Sequence, residues 1–231
     1  MTNKRSYTRH LPHEVPEGFP IFLTSNLKGA MPQAAIEKSL KERERLEKQA
    51  PHAGELIAAR KLREDKLIFA MADRFLDTTT EGPLHLKDLP AAKIVEDSIL
   101  FGAVERYALL AWCVMANHVH VLLTPIWELK KITQGLKGFT AYEINSIQDA
   151  RGRILWQDES YDHWARDEAE MLRIIEYIEN NPVAARLCQH RDEWPWSSAR
   201  FRMDWRRGEP YKKTENPIGG SEPKSGVVEV G

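Results

Sequence analysis

The spacing of apolar residues changes along the chain, and each kind of spacing predicts a different element. Where apolar residues recur every three or four positions, a helix buries one face and exposes the other. This spacing predicts helices in five segments: residues 32–49, 55–76, 91–104, 127–147 and 167–181. The last helix has clear end signals, because Asp167 and Glu170 form a capping box and Pro182 is expected to stop it.

Nearly continuous apolar runs predict the strands. Residues 107–115 and 118–124 form two such runs, and the break between them indicates a tight turn. Shorter segments at 22–25 and 154–157 are predicted to be strands as well. The order strand, helices, two strands, helix, strand, helix predicts an α+β fold on an antiparallel sheet.

The same order predicts the domain organisation. We expect residues 1–200 to form one domain and residues 201–231 to be a tail that is first basic and then disordered. The helices of residues 32–104 separate the first strand from the others, so we interpret that region as a helical insertion.

Composition limits the class of protein. The 231 residues are 42% hydrophobic with a mean hydropathy of −0.50, which is enough apolar surface for a sizeable core. No apolar run reaches the roughly eighteen residues that span a membrane, and the N-terminus lacks the apolar stretch of a secretory signal. Two cysteines, Cys113 and Cys188, are too few for a disulfide framework. We therefore expect a cytoplasmic protein with no membrane segment.

The charge of the chain is nearly balanced. Lys and Arg number 33 and Asp and Glu number 34, which leaves a net charge of −1. A protein that coats nucleic acid is usually basic overall. If this chain binds DNA, it uses local basic patches and a shaped site.

His118 and His120 are the sharpest chemical feature of the sequence. Residues two apart in a strand point to the same face, so the two imidazoles lie side by side and Val119 points away. Two neutral imidazoles on one rigid element supply half of a site for a divalent metal ion. The spacing is equally compatible with structural histidines beside a turn.

Other histidine motifs do not fit. A histidine-triad hydrolase needs a third histidine at position 122, where the chain has Leu122. The paired motifs of two-histidine phosphoesterases, the HExxH helix of zinc proteases and the paired cysteines of structural zinc sites are absent from the sequence. Of the histidine-containing sites considered, the one that remains is a metal site that acts on a phosphate group.

Tyr177 and Asn181 form a second candidate pair. They are four residues apart, so they share one face of the predicted helix. In one interpretation, Tyr177 packs in the core and Asn181 caps the helix. Beside the histidines, Tyr177 is instead a candidate nucleophile, which needs a metal or a base because its ordinary pKa is about 10. Tyr142 and Tyr161 are weaker candidates, since only Tyr177 has an asparagine partner on its helix.

Five segments, in order, resemble one protein family. The string MANHVHVLLTP at 115–125 resembles the core motif of the HUH single-tyrosine transposases. Four others resemble one branch of them, the REP-associated tyrosine transposases: HLPH at 10–13, LWQDESYDH at 155–163, YIENNPV at 177–183 and WPWSSA at 194–199. The resemblance spans more than half of the chain, but residues 32–104 carry no motif of the family.

The resemblance implies a ferredoxin-like α+β domain whose antiparallel sheet carries helices on one face. It implies that His118 and His120 bind Mg²⁺ or Mn²⁺, with Asn181 as the third ligand, although relatives have the longer Gln there. Tyr177 would attack a phosphodiester of single-stranded DNA, leaving a 5′-phosphotyrosine link and a free 3′-OH. Ala116 replaces a proline that is frequent in the family, but this is a turn position and not a ligand.

The resemblance also implies a single-stranded DNA partner with a hairpin, of the kind formed by repeated extragenic palindromes. Basic residues near both ends of the chain are candidates for DNA contacts: Lys4, Arg5, Arg9, Arg200, Arg202, Arg206 and Arg207. Trp194, Trp196 and Trp205 lie among them and either stack on bases or belong to the core. The sequence does not identify the hairpin, nor does it distinguish a monomer from a homodimer.

Three functions stay open from the sequence. The first is an active DNA-cutting and rejoining transposase, which the retained His118, His120 and Tyr177 favour. The second is a domesticated protein that binds DNA hairpins but no longer cuts. The third is a metal-dependent phosphoesterase that uses water instead of tyrosine.

Overall fold

The computed structural model describes residues 18–79, 82–103, 105–158 and 160–201. Its helices are α1 Gln33–Lys48, α2 Ile57–Thr78, α3 Leu89–Gly102, α4 Leu129–Ile147 and α5 Glu168–Ala184. Its strands are β1 Ile21–Asn26, β2 Tyr107–Val114, β3 His118–Pro125 and β4 Tyr161–Trp164. Short 3₁₀ helices lie at His85–Lys87 and Arg191–Glu193. The five predicted helices are all present, with small shifts at their ends.

The four strands form one antiparallel sheet in the order β2-β3-β1-β4. In the pairing of β1 with β3, Asn26 lies opposite His118 and Thr24 lies opposite His120. Thr24 also lies opposite Tyr161 on the other side of β1. The predicted α+β class and antiparallel sheet are therefore confirmed.

Helices cover both faces of the sheet, where we expected one. On one face, Ile21, Leu23 and Val121 pack into a core with apolar residues of α3 and α4. On the other, Phe22 and Leu122 pack with apolar residues of α2 and α5. Successive residues of a strand point to opposite faces of the sheet, and the side chains on both faces are apolar here. Each face is therefore packed against its own layer of helices. We call the second side the α2–α5 face.

The last strand lies later in the chain than predicted. Residues 154–157 contribute an isolated bridge between Trp156 and Leu27 and remain bonded to the end of β1 through Gln157 N–H and Asn26 O, 2.8 Å apart. The extended pairing with β1 is instead made by β4, which contains Tyr161. Its position on the central strand β1 brings Tyr161 to the α2–α5 face.

Helix α5 begins as predicted and ends later. The side chain of Asp167 accepts a hydrogen bond from Glu170 N–H at 2.7 Å, which confirms the predicted N-cap. Pro182 does not stop the helix, because it lies in the last turn and its missing N–H interrupts the helical hydrogen bonds only there. The end is closed by Leu187 N–H bonding to Pro182 O at 2.9 Å. Asn181 therefore sits inside the helix.

Candidate active site

The two histidines of β3 form the floor of the site. His118 and His120 are both fully buried on the α2–α5 face, and their Nε2 atoms lie 3.1 Å apart. The predicted juxtaposition of the two rings is therefore present.

Neighbouring polar groups hold both rings by their other nitrogen. Asn117 Oδ1 lies 2.7 Å from Nδ1 of His118, and the amide is fixed because its Nδ2 donates to Leu76 O at 2.9 Å. An amide oxygen only accepts, so Nδ1 of His118 carries the proton and Nε2 keeps its lone pair. Thr24 Oγ1 lies 2.9 Å from Nδ1 of His120 and fixes the orientation of that ring, although a hydroxyl can donate or accept and so leaves either tautomer open. Both Nε2 atoms are thus directed at the space between the rings.

Two carboxylates of α2 complete this space, and the sequence analysis missed both. Asp73 Oδ2 lies 3.5 Å from Nε2 of His120, and Asp77 Oδ1 lies 3.7 Å from Nε2 of His118. Ligand atoms of Asp73, His118 and His120 lie within 4.8 Å of one another. A signal was present, because Asp73 and Asp77 are four residues apart and share the helix face that carries the buried Leu76. Acidic residues on a buried helix stripe are uncommon unless they have a partner.

Helix α5 brings Tyr177 and Asn181 to the same place. The Tyr177 hydroxyl donates a hydrogen bond to Asp73 Oδ2, and Asn181 Nδ2 lies 3.4 Å from that oxygen. The Tyr177 ring contacts the rings of Phe22 and His120, with centroids 6.0 and 5.8 Å away. Asn181 is buried, whereas Tyr177 is 37% exposed, so a substrate can reach its ring edge from solvent.

Burial and close charges shift several pKa values here. Burial, helped by His120, lowers the pKa of His118 to about 3, so this imidazole is neutral. Burial and the nearby Asp73 raise the pKa of Asp77 to about 7. Burial also opposes ionisation of Asp73, but His120 and His118 hold the pKa of that carboxyl below its ordinary range. Burial and Asp73 together raise the pKa of Tyr177, which keeps its hydroxyl protonated.

The unsatisfied atoms of the site fit a divalent cation. Oδ1 of Asp73, Oδ1 of Asp77 and Oδ1 of Asn181 are buried and receive no hydrogen bond from the described residues. Buried acceptors are normally paired, so three of them beside the Nε2 atoms of two histidines indicate a position for a positive ion. Imidazole nitrogens with carboxylate and amide oxygens suit Mn²⁺ and related divalent ions. These five residues, His118, His120, Asp73, Asp77 and Asn181, could hold it.

The other candidate residues lie elsewhere. Arg200 donates two hydrogen bonds to the buried carboxylate of Glu96, both 3.0 Å long. Trp194 and Trp196 are half-buried and pack against the two cores of the sheet. Six of the predicted DNA-contacting residues lie outside the described residues: Lys4, Arg5, Arg9, Arg202, Arg206 and Arg207.

The structure also gives the positions of the two alternative candidate nucleophiles, Tyr142 and Tyr161. Tyr142 is 70% exposed on α4, which packs on the opposite face of the sheet from the histidines. Tyr161 stacks on Phe69 with ring centroids 4.0 Å apart, and it is buried beside the site. Of these two and Tyr177, it is Tyr177 whose hydroxyl bonds to Asp73 beside the histidines.

Comparison with known proteins finds a family model that matches the segment that holds most of the site. Residues 102–181 match the family model of IS200-like transposases. The match includes His118, His120, Tyr177 and Asn181, while Asp73 and Asp77 lie upstream of it. The resemblance to tyrosine transposases is thereby confirmed.

A solved structure shares the fold over nearly the whole chain. It is that of a REP-associated tyrosine transposase bound to a REP hairpin, with a TM-score of 0.50 and 15% sequence identity. The alignment covers 98% of this chain and 99% of the other. A comparison with curated protein sequences found no significant match. Across the described part of the chain, the helices are too short or too polar to cross a membrane.

Proposed function

We propose that this chain, whose residues 102–181 belong to the IS200-like transposase family, is a metal-dependent single-stranded DNA endonuclease and transposase. It cuts and rejoins DNA beside hairpins through a covalent 5′-phosphotyrosine intermediate. One observation carries the proposal: the Tyr177 hydroxyl, two imidazole Nε2 atoms and the Asp73 carboxylate converge on one small volume. Tyr177 itself is 37% exposed at the edge of that volume.

The cleavage step follows from this geometry. Tyr177 Oη forms a bond to the phosphorus of the scissile phosphodiester, and the bond from phosphorus to the 3′ oxygen breaks. The phenolic proton passes to Asp73 Oδ2, which already accepts it in a hydrogen bond. The leaving oxygen takes a proton from solvent and becomes a free 3′-OH. The 5′ end of the DNA stays linked to Tyr177.

The remaining residues of the site orient these groups. His118 and His120, with the oxygens of Asp73, Asp77 and Asn181, would hold a divalent cation, Mg²⁺ or Mn²⁺. When bound, such a cation supplies Lewis-acid polarisation of the phosphate and offsets the negative charge that raises the Tyr177 pKa. Asn117 and Thr24 fix the histidine rings from behind.

The covalent link suits strand transfer better than hydrolysis. A phosphotyrosine diester is similar in energy to the phosphodiester it replaces, so a 3′-OH can reverse the reaction without ATP. The hairpin is proposed as the recognised DNA because the solved relative is bound to one, and the two proteins share a fold. The reversibility of the reaction and the proposed recognition of a hairpin are both independent of the sequence of that hairpin.

An adduct assay tests the proposal. The purified protein is mixed with single-stranded oligonucleotides that contain hairpins with unpaired flanks, in the presence of Mn²⁺, and is resolved on a denaturing gel. We expect a protein–DNA adduct from wild type and none from Tyr177→Phe or His118→Ala. Tyr142→Phe is the matched control, because it removes an exposed hydroxyl from the other side of the sheet.

Each alternative function has its own outcome. Tight hairpin binding with no adduct would replace the nuclease by the catalytically silent hairpin-binding protein. Cleavage that survives Tyr177→Phe and leaves no adduct would show that water, not tyrosine, is the nucleophile. An adduct that persists in Tyr177→Phe but disappears in Tyr142→Phe would move the nucleophile to α4.

A further inference from the structure

A groove lies directly beside the candidate active site. It is enclosed by the end of α2, the turn between β2 and β3, the end of α5 and residues 194–196, and its volume is about 860 Å³. Its walls are largely apolar and include Leu84, Leu86, Met115, Leu187, Trp194 and Trp196. We call it the tryptophan groove. Sites for small organic ligands usually measure about 300–1,000 Å³.

The walls of the groove are fixed by backbone hydrogen bonds. Leu86 N–H bonds to Ala116 O at 3.1 Å, and Val114 N–H bonds to Trp196 O at 2.9 Å. The indole N–H of Trp194 donates to Val114 O at 3.0 Å, so the one polar atom of that ring is already satisfied. The groove is therefore preformed, and its ring surfaces are available for apolar contact without a loss of hydrogen bonds.

The inner end of the groove reaches the catalytic histidines. Asp77 and Asn117 line it, and they lie 3.7 and 2.7 Å from ring nitrogens of His118. A DNA strand whose phosphate lies over the histidines therefore has its next nucleotide at the entrance of this groove.

The rim of the groove carries Lys87 and Arg186, both exposed. Arg186 follows the end of α5 with φ of 59°, a left-handed conformation that favours glycine. Arginine at this position costs stability that glycine would not. A guanidinium and an ammonium beside an apolar, tryptophan-walled groove match the phosphate and the base of a nucleotide.

We propose that the tryptophan groove binds an unpaired nucleotide next to the scissile phosphate, with the base against Trp196 and Trp194 and the flanking phosphate held by Arg186 and Lys87. This inference rests on the proposed function, because it assigns a binding subsite to the same DNA strand. The groove selects unpaired DNA, since a base held in a duplex cannot enter it.

Binding measurements on Arg186→Gly test this subsite. Affinities are measured by fluorescence anisotropy in a Tyr177→Phe background, for hairpins with a 5′ extension, a 3′ extension or none. We expect Arg186→Gly to raise the melting temperature, because glycine suits the left-handed backbone. The same substitution should weaken binding of an extended hairpin about fivefold or more. Binding of the hairpin without an extension should change little. Lys87→Ala is expected to act in the same direction. Asp149→Gly is the conformational control, because Asp149 is also left-handed, with φ of 48°, but does not line the groove.

The charge control is Lys131→Ala, which removes an exposed lysine at the start of α4. If Arg186→Gly and Lys87→Ala bind all three hairpins like the parent protein, the subsite is wrong. The proposed function then still stands, provided that the protein with Tyr177 intact forms its adduct. If that protein neither binds extended hairpins nor forms an adduct, both the subsite and the proposed function are overturned.

Discussion

Among single residues, Asp73 has the largest predicted effect on the site. Its carboxylate accepts from Tyr177 and from Asn181, and it faces His120 across 3.5 Å. One residue therefore connects the nucleophile, the helix α5 and the proposed metal position. Its Oδ1 is buried and receives no hydrogen bond from the described residues, which leaves a lone pair for a cation.

Asp73→Asn is expected to lower the affinity for Mn²⁺ by at least about tenfold, because it removes a buried charge from the ligand set. Titration of the protein with Mn²⁺, followed by electron paramagnetic resonance or calorimetry, measures this change directly. The melting temperature without metal should fall, because His120 and His118 lower the pKa of Asp73 in spite of its burial and the ionised carboxylate therefore stabilises the fold at neutral pH.

Comparing Asn181→Ala with Asp73→Asn shows which of the two side chains contributes more to binding of the metal ion. A neutral amide contributes less to cation binding than a carboxylate, so its loss should weaken Mn²⁺ binding less than Asp73→Asn does. A larger loss from Asn181→Ala would restore Asn181 as the principal third ligand, as the family resemblance implies. Equal affinities for both variants and wild type would exclude this site as the metal position.

The sequence located part of this site for a clear reason. His118 with His120, and Tyr177 with Asn181, are pairs within one element, so strand and helix periodicity place their members together. Asp73 reaches the histidines only through the packing of α2 against the sheet, which no local spacing encodes. A solvated helix face is the common place for an aspartate, and only its position beside Leu76 on the buried stripe distinguished it.

Among the elements, the contact of α3 with β2 and the chain after α5 depends on one buried ion pair. Glu96 of α3 is 3% exposed and accepts from Trp112 of β2 at 3.1 Å and from Arg200. Arg200 is thus engaged in an internal contact, and its predicted role in DNA binding competes with that contact. If Arg200 acts mainly through its ion pair with Glu96, its loss lowers the stability of the protein without DNA. If it acts mainly in DNA binding, its loss leaves that stability unchanged.

Arg200→Ala is expected to lower the free energy of unfolding by about 1–3 kcal/mol, because it leaves the Glu96 carboxylate buried without its cation. Chemical denaturation measures the loss. Adding Glu96→Gln should recover a part of it, since a neutral amide can still accept from Trp112 and no charge stays unpaired. If Arg200→Ala unfolds like wild type but binds hairpins more weakly, Arg200 contacts DNA and its internal pair is of little importance.

Element boundaries show where local signals end. The five helices follow from periodicity, and the start of α5 follows from Asp167. Strand β4 could not be predicted, because its four residues, YDHW, carry no apolar alternation and pair only because β1 offers a free edge. The passage of α5 through Pro182 depends on the bonds that close the next turn, in particular Leu187 N–H to Pro182 O.

At the scale of the whole molecule, the site joins two parts of the chain that lie far apart in the sequence. The segment that matches the transposase family supplies the histidines, the tyrosine and Asn181, while α2, which lies upstream of that segment, supplies Asp73 and Asp77. Helix α2 would therefore complete the proposed ligand set. A cation bound between the two parts would couple the docking of α2 to metal binding.

Metal binding is therefore expected to slow amide hydrogen exchange in the second half of α2, residues 69–78, and to leave the connection between α1 and α2, residues 49–56, unchanged. Openings that separate α2 from the sheet must first release the ion, which at 100 times its dissociation constant slows them about 100-fold. Exchange measured by mass spectrometry with Mn²⁺ and with EDTA gives both values in one protein. Asp73→Asn should lose the difference at 69–78. Equal slowing in both segments would mean that the ion stabilises the fold as a whole, and no slowing at 69–78 would separate α2 from the metal site.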